Sequence, residues 1–337
     1  MKKIILGIVG FIGVLTLLFL LVPKPSPFKS NPAIPLDVQS EVAKHANVES
    51  WVKELESQKE IRPGNESEFY WADSAGKTTE FVLLYLHGFS ASPAEGRPVS
   101  KDFAKRYGMN LYAPLLAEHG LIEEEPMLNY TAESWTLSAQ KALAVAQTMG
   151  KKVIVMSTST GCTSALYLAS DSTNKIHALL NYSPNIRVFD KRAFIVSGPW
   201  GLQIARLIKG DKYNVWEAPK GAEKYWHTKY RLEAIVEMQK LLEATMVEAT
   251  FAQITVPTFV GYYYKNELQQ DDVVSVVAIQ EMYKKLGSPI KEIKQFEGVG
   301  AHAMASSLFS TDIDAVKEAS FLFAETKLHL KPLTSSN

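Results

Sequence analysis

The chain has 337 residues, of which 46% are hydrophobic, and its 36 basic residues balance its 36 acidic residues to a net charge of +0. This composition is enough to bury a sizeable core and is typical of one large globular domain, and a neutral chain has no overall electrostatic attraction to nucleic acid. The one cysteine, Cys162, excludes an intrachain disulfide, so stability must come from the core.

The first predicted element is an apolar N-terminal segment. Two lysines precede a run from Ile4 to Val22 that carries no charge, and at about 1.5 Å per residue this run can cross a hydrocarbon core about 30 Å thick. No small-x-small cleavage site lies beside its apolar edge, which favours a retained anchor over a cleaved signal peptide. We therefore expect residues 1–22 to be a single-pass membrane anchor, with the remaining chain on the exported, periplasmic or extracytoplasmic side. Secretion after signal cleavage is the alternative.

A spacer and a domain follow this segment. Five prolines between Pro23 and Pro35 favour an extended spacer over residues 23–36. The domain is expected over residues 37–330.

Strands and helices alternate along this domain. Helices are predicted over 37–60, 95–107, 132–149, from the turn after 156 to about 170, and over 273–287 and 312–327. Strands are predicted over 66–72, 77–88, 109–114, 152–156, 177–183, 256–264 and 289–298, and residues 184–252 show no clear strand. This order predicts the α/β class, with a mostly parallel sheet covered by helices on both faces. Active sites of such sheets lie beyond the carboxyl ends of the strands.

The stretch STSTG, from Ser157 to Gly161, lies between a predicted strand and a predicted helix. This is the context of a nucleophile elbow of the form G-x-S-x-G, whose tight turn needs small residues two positions before and after the nucleophile. Gly161 meets the second requirement, and Ser157 stands where the first glycine is usual. Ser159 is therefore the candidate nucleophile, at a helix N-terminus that favours a developing anion. An ordinary helix cap is the alternative, since Ser and Thr are preferred there.

A second turn, His87-Gly88-Phe89, follows the strand that should neighbour the elbow. In acyl-transfer enzymes of this architecture, such a turn contributes one oxyanion-hole N–H, and the residue after the nucleophile contributes the other. The candidate donors are the backbone N–H groups of Phe89 and Thr160. Gly is also common in plain strand-to-helix turns.

A serine nucleophile needs a base within hydrogen-bond reach. Six of the seven histidines are set aside by position: His45 in the leading helix, His87 and His119 in turns before Gly, His177 at the wrong end of a strand, His227 in the long insert and His329 in the tail. His302 remains, directly after the last strand in FEGVGAHAMAS. Its alternative is a turn histidine without a role.

The acid that orients the base should follow the preceding strand, because the chain order in this architecture is Ser, Asp or Glu, then His. The sequence DDVVS offers Asp271 and Asp272 there, and Glu267 lies just before them. Asp271 is favoured, and the other two stay open. A helix cap is the alternative role for either aspartate.

Together these residues resemble the α/β-hydrolase superfamily, and within it the serine esterases and monoacylglycerol-lipase-like members. The resemblance covers residues 66–327 and is carried by LHGFSASP, STSTG, DDVVS and GAH; LAEHG at 116–120 is similar to the GHG of such enzymes. It implies the α/β-hydrolase fold, a helical lid inserted over residues 185–252 and a triad acid at Asp271. Ser157 and the tyrosine-rich loop before the acid depart from the pattern.

The resulting hypothesis is a serine carboxylic-ester hydrolase that forms an acyl-enzyme on Ser159. The three tryptophans of the insert, at 200, 216 and 226, suit an ester with an apolar acyl group, although they also suit docking of the insert. The alternatives are a thioesterase, amidase or acyltransferase with the same triad, or a membrane-tethered binding protein without the chemistry. No metal motif or cofactor motif is complete, so neither is expected.

Overall fold

The structure is a computed structural model that describes residues 2–22 and 26–333. Its strands are β1 (Glu68–Tyr70), β2 (Thr79–Leu86), β3 (Asn110–Ala113), β4 (Gly150–Thr158), β5 (Ile176–Tyr182), β6 (Tyr213–Val215), β7 (Lys229–Arg231), β8 (Thr258–Asn266), β9 (Gln269–Gln270) and β10 (Lys291–Phe296). Its α-helices are α1 (Lys2–Leu21), α2 (Leu36–Ala43), α3 (Val48–Ser57), α4 (Val99–Arg106), α5 (Ala132–Met149), α6 (Thr160–Ala169), α7 (Gly201–Lys209), α8 (Leu232–Thr245), α9 (Glu248–Gln253), α10 (Val276–Lys285) and α11 (Ile313–Thr326).

The main sheet has the strand order β1-β3-β2-β4-β5-β8-β10. The six strands from β3 to β10 in this order are parallel, β1 is antiparallel to β3, and the short β9 pairs antiparallel with β8. The predicted α/β class with a mostly parallel sheet is therefore confirmed. The carboxyl ends of β2, β4, β8 and β10 all lie at one edge of the sheet, where the sequence places the candidate site residues.

Strand β2 shows why this sheet is covered on both faces. Val82, Leu84 and Leu86 belong to the core that contains the apolar side of α5. Leu83 and Tyr85 belong to the core that contains side chains of α4 and α11. Alternate residues of a strand point to opposite faces, so a continuous apolar run needs a helical layer on each side.

The helices agree with the sequence pattern where a cap fixes their ends. Helix α5 spans the predicted residues, and Thr131 and Ser134 form a reciprocal capping box at its start. The single helix predicted over 37–60 is wrong, because the chain turns between α2 and α3. Asn47 accepts the Ser50 N–H and starts the second helix anew.

The sequence pattern showed no clear strand in residues 185–252, but the structure has two short strands there. Strands β6 and β7 form an antiparallel pair between α7 and α8. Arg231, at the end of β7, forms ion pairs with Glu125 and Glu233. A strand of three residues is too short to produce a readable alternation of polar and apolar side chains.

The apolar N-terminal segment forms α1. In the part of the chain that the structure describes, no helix has both the length and the apolar character that a membrane crossing requires. Crossing the hydrocarbon core takes about 20 predominantly apolar residues in one helix. The predicted single-pass anchor and the membrane-tethered location derived from it are therefore wrong, and the membrane as a partner has no support.

The proline-rich segment predicted over 23–36 is described from residue 26 onward, and residues 23–25 lie outside the described part. Its backbone lies against α5 and α6. Gln140 donates hydrogen bonds to the carbonyls of Asn31 and Ala33 at 2.8 and 2.7 Å, and the Tyr167 hydroxyl donates to the Ser30 carbonyl at 3.0 Å. These contacts tie the extended segment to the domain.

Candidate active site

The turn between β4 and α6 holds Ser159 in a strained backbone conformation. Its φ is 55° and its ψ is −121°, a combination that non-glycine residues rarely adopt. The Ser159 N–H donates to the Tyr182 carbonyl at 3.0 Å, which fixes the turn to the end of β5. Although Ser159 occupies the cap position of α6, its side chain makes no capping hydrogen bond. The hydroxyl is therefore not used to stabilise the helix.

Gly161 is required by the close approach of β2 to this turn. A Cβ atom at position 161 would lie 2.1 Å from the Leu86 carbonyl oxygen and 2.7 Å from that of His87. Both are backbone atoms, which side-chain rotation cannot move. The small residue expected after the nucleophile is thus demanded by the strand beside it.

Ser157 fills the position where a glycine is usual in such elbows. It is fully buried, and its hydroxyl donates a hydrogen bond to Asn181 Oδ1 at 3.0 Å. Asn181 lies on the neighbouring strand β5, directly opposite Ser157. A buried hydroxyl is costly unless it is paired, so this departure from the motif is accommodated by the acceptor on β5.

The turn after β2 lies directly against Ser159, the candidate nucleophile. A Cβ atom on Gly88 would lie 3.0 Å from Ser159 Cβ, which is tighter than an ordinary van der Waals contact, so a larger residue would force the turn and Ser159 apart. Within residues 26–333, the backbone N–H groups of Phe89 and Thr160 donate no hydrogen bond. Phe89, Thr160 and Ser159 line the same cavity. The two candidate oxyanion donors are thus unpaired beside Ser159.

Two histidines that the sequence set aside support this turn. His119 Nε2 accepts the Ser90 N–H at 2.9 Å, and His87 Nε2 accepts the Leu116 N–H at 3.0 Å. Burial lowers the pKa of His87 to about 4 and that of His119 well below its usual range. Both rings are therefore neutral and can accept. The sequence feature that could have indicated this supporting role is the His-Gly pair, which occurs after β2 and again after β3.

His302 lies in the loop after β10 and is oriented by a carboxylate. Its Nδ1 lies 2.7 Å from Asp271 Oδ2, and Asp271 is fully buried. Burial lowers the pKa of His302, but the charge and hydrogen bond of Asp271, together with the charge of Glu95, raise it above the usual value. Among the residues described, His302 Nε2 has no hydrogen-bond partner, and His302 lines the cavity together with Ser159.

The two other candidate acids do not contact His302. Asp272 is exposed at the cavity rim, and Glu267 accepts the Tyr264 hydroxyl at 3.0 Å on the surface. The structure therefore brings Asp271, and neither alternative, to the imidazole.

The cavity at this edge has a volume of about 580 Å³. Most of its wall comes from residues 185–252 and is apolar, with Ile195, Val196, Ile204, Ala205, Trp216, Trp226, Leu232, Ile235 and Met238 among the lining residues. Trp200, the first of the three tryptophans in residues 185–252, is 40% exposed and does not line the cavity. The site therefore combines Ser159 and His302 with a mostly apolar wall, which also includes Asp190, Arg192, Lys209 and Asn214.

No protein-family model and no curated protein matches this sequence. Solved structures do match. A structure of the metagenome-derived lipolytic enzymes LipS and LipT has a TM-score of 0.64 at 18% identity, covering 78% of this chain and 98% of that one. The monoacylglycerol lipase of Paleococcus ferrophilus has a TM-score of 0.56 at 12% identity, covering 77% and 98%. A soluble variant of Saccharomyces cerevisiae monoglyceride lipase, complexed with a substrate analog, has a TM-score of 0.56 at 12% identity, covering 79% and 92%.

These neighbours establish the fold. Nearly the whole length of each neighbour superposes on this chain, and all three are lipases or lipolytic enzymes of the α/β-hydrolase superfamily. The chain therefore has the α/β-hydrolase fold, as the sequence resemblance implied. Since one fold hosts many chemistries, its activity must be argued from the site.

Proposed function

We propose that this protein is a serine hydrolase that cleaves carboxylic esters through an acyl-enzyme. One observation carries the proposal: the imidazole of His302, held by the buried carboxylate of Asp271, faces the cavity in which the strained elbow presents Ser159. Nucleophile, base and orienting acid are the three parts that hydroxyl activation needs. The lipolytic activity of the structural neighbours supports the same class of reaction.

In the proposed mechanism, Ser159 Oγ attacks the ester carbonyl carbon while His302 Nε2 accepts the hydroxyl proton. Asp271 holds the Nδ1 proton and stabilises the imidazolium. The negative charge moves to the carbonyl oxygen, where the Phe89 and Thr160 N–H groups stabilise it. The C–O bond to the alcohol then breaks, and His302 returns its proton to the leaving oxygen.

Water completes the proposed cycle. A water molecule gives a proton to His302 Nε2 and attacks the acyl-enzyme carbonyl. The second tetrahedral intermediate collapses, the proton returns to Ser159 Oγ, and the carboxylic acid leaves. His302 acts as base and as acid in each half, so it must be neutral at the start of each.

The proposed substrate is an ester with an apolar acyl group. Residues 185–252 supply most of the apolar cavity wall, and we propose that they form a lid over the site. This segment is joined to the oxyanion turn, because the His227 N–H donates to the Ser90 carbonyl at 2.7 Å. An apolar wall ending at a nucleophile fits an acyl chain whose carboxyl end lies at Ser159.

The proposal is tested by covalent labelling of the full chain with a fluorophosphonate probe. We expect one adduct, on Ser159, located by mass spectrometry. Ser159→Ala and His302→Ala should abolish labelling, whereas Ser172→Ala, at an exposed serine, should label as the wild type does. Hydrolysis of p-nitrophenyl esters should disappear in the same two variants.

A folded protein without an adduct on Ser159 contradicts the proposed function. It favours instead the alternative of a binding protein that keeps the fold without the chemistry. Circular dichroism of each variant establishes that loss of labelling does not come from unfolding.

A further inference from the structure

Glu95 is a buried carboxyl group for which the proposed mechanism has no role. It lies in the 3₁₀ turn Pro93–Gly96 between β2 and α4, is 2% exposed and lines the cavity that contains Ser159 and His302. Glutamate is rarely buried without partners, because an ionised carboxylate loses its hydration. Its contacts should therefore explain its position.

Glu95 Oε2 accepts two hydrogen bonds, one from β2 and one from the turn that follows it. The Gly88 N–H donates at 2.6 Å and the Tyr85 hydroxyl at 3.1 Å. The Tyr85 hydroxyl also lies 3.0 Å from Thr158 Oγ1, the residue just before the nucleophile. A continuous hydrogen-bonded chain thus links the oxyanion turn to the end of β4.

The position of Gly88 shows how close this carboxyl is to the nucleophile. A Cβ atom on Gly88 would lie 3.0 Å from Ser159 Cβ and 3.1 Å from Glu95 Oε1. Glu95 and Ser159 therefore flank Gly88 directly. The carboxyl thus accepts the N–H of Gly88, the residue directly before Phe89.

We propose that Glu95 is a positioning residue that fixes the oxyanion turn against Ser159 and supplies negative charge beside His302. The inference rests on the proposed hydrolase function. An oxyanion donor acts only where charge develops, so its orientation affects the transition state more than substrate binding.

The charges around Glu95 agree with this role. Burial raises its pKa to about 7, against the opposing effects of the Gly88 hydrogen bond, the His302 charge and the Tyr85 hydrogen bond. The titratable groups that act on it are Tyr85 from β2, Cys162 from α6 and His302 from the loop after β10. Burial raises the pKa of Tyr85 and of Cys162, whereas the pKa of Glu95 is raised to about 7 and that of His302 lies above its usual value.

Steady-state kinetics of two variants test the proposal. In Glu95→Ala the turn loses its acceptor, and kcat should fall about 100-fold while KM changes little, a loss similar to that of one oxyanion donor. In Glu95→Gln the amide oxygen still accepts from Gly88, so most of kcat should return. The charge is absent, however, and the acid limb of the kcat/KM profile should move to lower pH, because Glu95 helps to raise the pKa of His302.

Glu56→Gln is the matched control. Glu56 is also a carboxyl with a pKa raised by burial, and it accepts the N–H and hydroxyl of Ser67 outside the site. Its variant should keep the wild-type kcat and pH profile. A wild-type kcat and pH profile in both Glu95 variants overturns the proposal.

Two further measurements do not need turnover. Hydrogen exchange of the amides in residues 86–91 should accelerate in Glu95→Ala and stay unchanged in Glu56→Gln. The pKa of His302, followed by NMR, should fall in Glu95→Gln. If the wild type is not labelled by fluorophosphonate, the proposed function fails. These two measurements still test the role of Glu95, because unchanged hydrogen exchange and an unchanged His302 titration refute it.

Discussion

His302 Nδ1 lies 2.7 Å from Asp271 Oδ2, and the second carboxylate oxygen of Asp271 accepts the backbone N–H groups of Val273 and Val274 at 3.0 and 2.9 Å. The carboxylate is therefore fixed by three hydrogen bonds. It can hold the imidazole in one tautomer and one orientation, with Nε2 toward the cavity. Asp271 does not cap α10, because Ser275 occupies the cap position and accepts the Ala278 N–H; the two N–H groups that Asp271 accepts belong to the loop before the helix.

Replacing Asp271 is the first prediction. Asp271→Asn keeps the shape but loses the charge that holds the imidazolium, and kcat should fall about 10³- to 10⁴-fold. Asp272→Asn should cost less than about tenfold, because exposed Asp272 does not contact His302. The two variants are compared by p-nitrophenyl ester hydrolysis. A larger loss in Asp272→Asn assigns the acid role to the neighbour.

The pH dependence of activity is the second prediction. Asp271 and Glu95 raise the pKa of His302 above its ordinary value of 6.5 against the opposing effect of burial. The base must be neutral, so kcat/KM should rise with pH along an acid limb whose midpoint lies above pH 6.5. A midpoint below 6.5 contradicts the expected environment of His302.

The raised pKa of His302 also affects the free energy of unfolding, which changes with pH in the opposite direction to activity. A histidine whose pKa is higher in the folded state contributes stability that is present below its unfolded pKa and is lost as pH rises through its folded pKa. The stabilising contribution of the His302–Asp271 pair should therefore be full below pH 6.5. It should decline at the pH where activity rises. Denaturant unfolding of the wild type and Asp271→Asn over this range measures it.

The sequence predicted the parts of the site that depend on local order along the chain. Ser159 and His302 follow the parallel strands β4 and β10, and Asp271 follows parallel β8 after the short antiparallel β9; parallel strands place their carboxyl ends at one edge. The spacing of the elbow motif also pointed to Gly161, although the structure shows that the backbone of β2 and of the turn after it is what excludes a side chain there. Local order and sheet direction together were sufficient to predict that these candidate residues lie at one edge of the sheet.

The hydrogen-bond partners of these residues were not predictable in this way. Asn181, which accepts from Ser157, lies on the neighbouring strand β5, and Glu95 reaches the Gly88 N–H only because the chain after β2 folds back on itself. The spacing of residues along the chain does not reveal which residue of a neighbouring strand lies opposite Ser157. The break between α2 and α3 was missed for a different reason: Asn47 is tolerated within a helix pattern and reveals its cap only through its hydrogen bond.

Ser157 gives the third prediction. Ser157→Ala leaves the buried Asn181 Oδ1 without its donor, and the free energy of unfolding should fall by about 1–3 kcal/mol. Activity per folded molecule should stay within about tenfold, because the hydroxyl does not line the cavity.

The double variant Ser157→Ala/Asn181→Leu is the control for this pair. It removes both polar partners, so its loss should be smaller than the sum of the two single losses. Additive losses in denaturant unfolding contradict a direct Ser157–Asn181 interaction.

The fourth prediction concerns the apolar wall. Ala205 of α7 is 9% exposed and lines the cavity, so Ala205→Phe should fill part of the space proposed for the acyl chain. We expect kcat/KM for long-chain p-nitrophenyl esters to fall at least about tenfold, while that for the acetate ester changes little. One methylene of poorly accommodated chain costs about 1–3 kcal/mol in a hydrophobic pocket, so the loss should grow with chain length up to the obstruction.

Leu207→Phe separates this effect from a change in α7 itself. Leu207 lies on the same helix, is 83% exposed and does not line the cavity. The same aromatic addition there should leave the chain-length profile as in the wild type. If Ala205→Phe lowers the acetate and long-chain rates equally, the substitution disturbs Ser159 or the folding of the protein. That result contradicts binding of the acyl chain along α7. If both variants keep the wild-type profile, the chain binds along a different wall of the cavity.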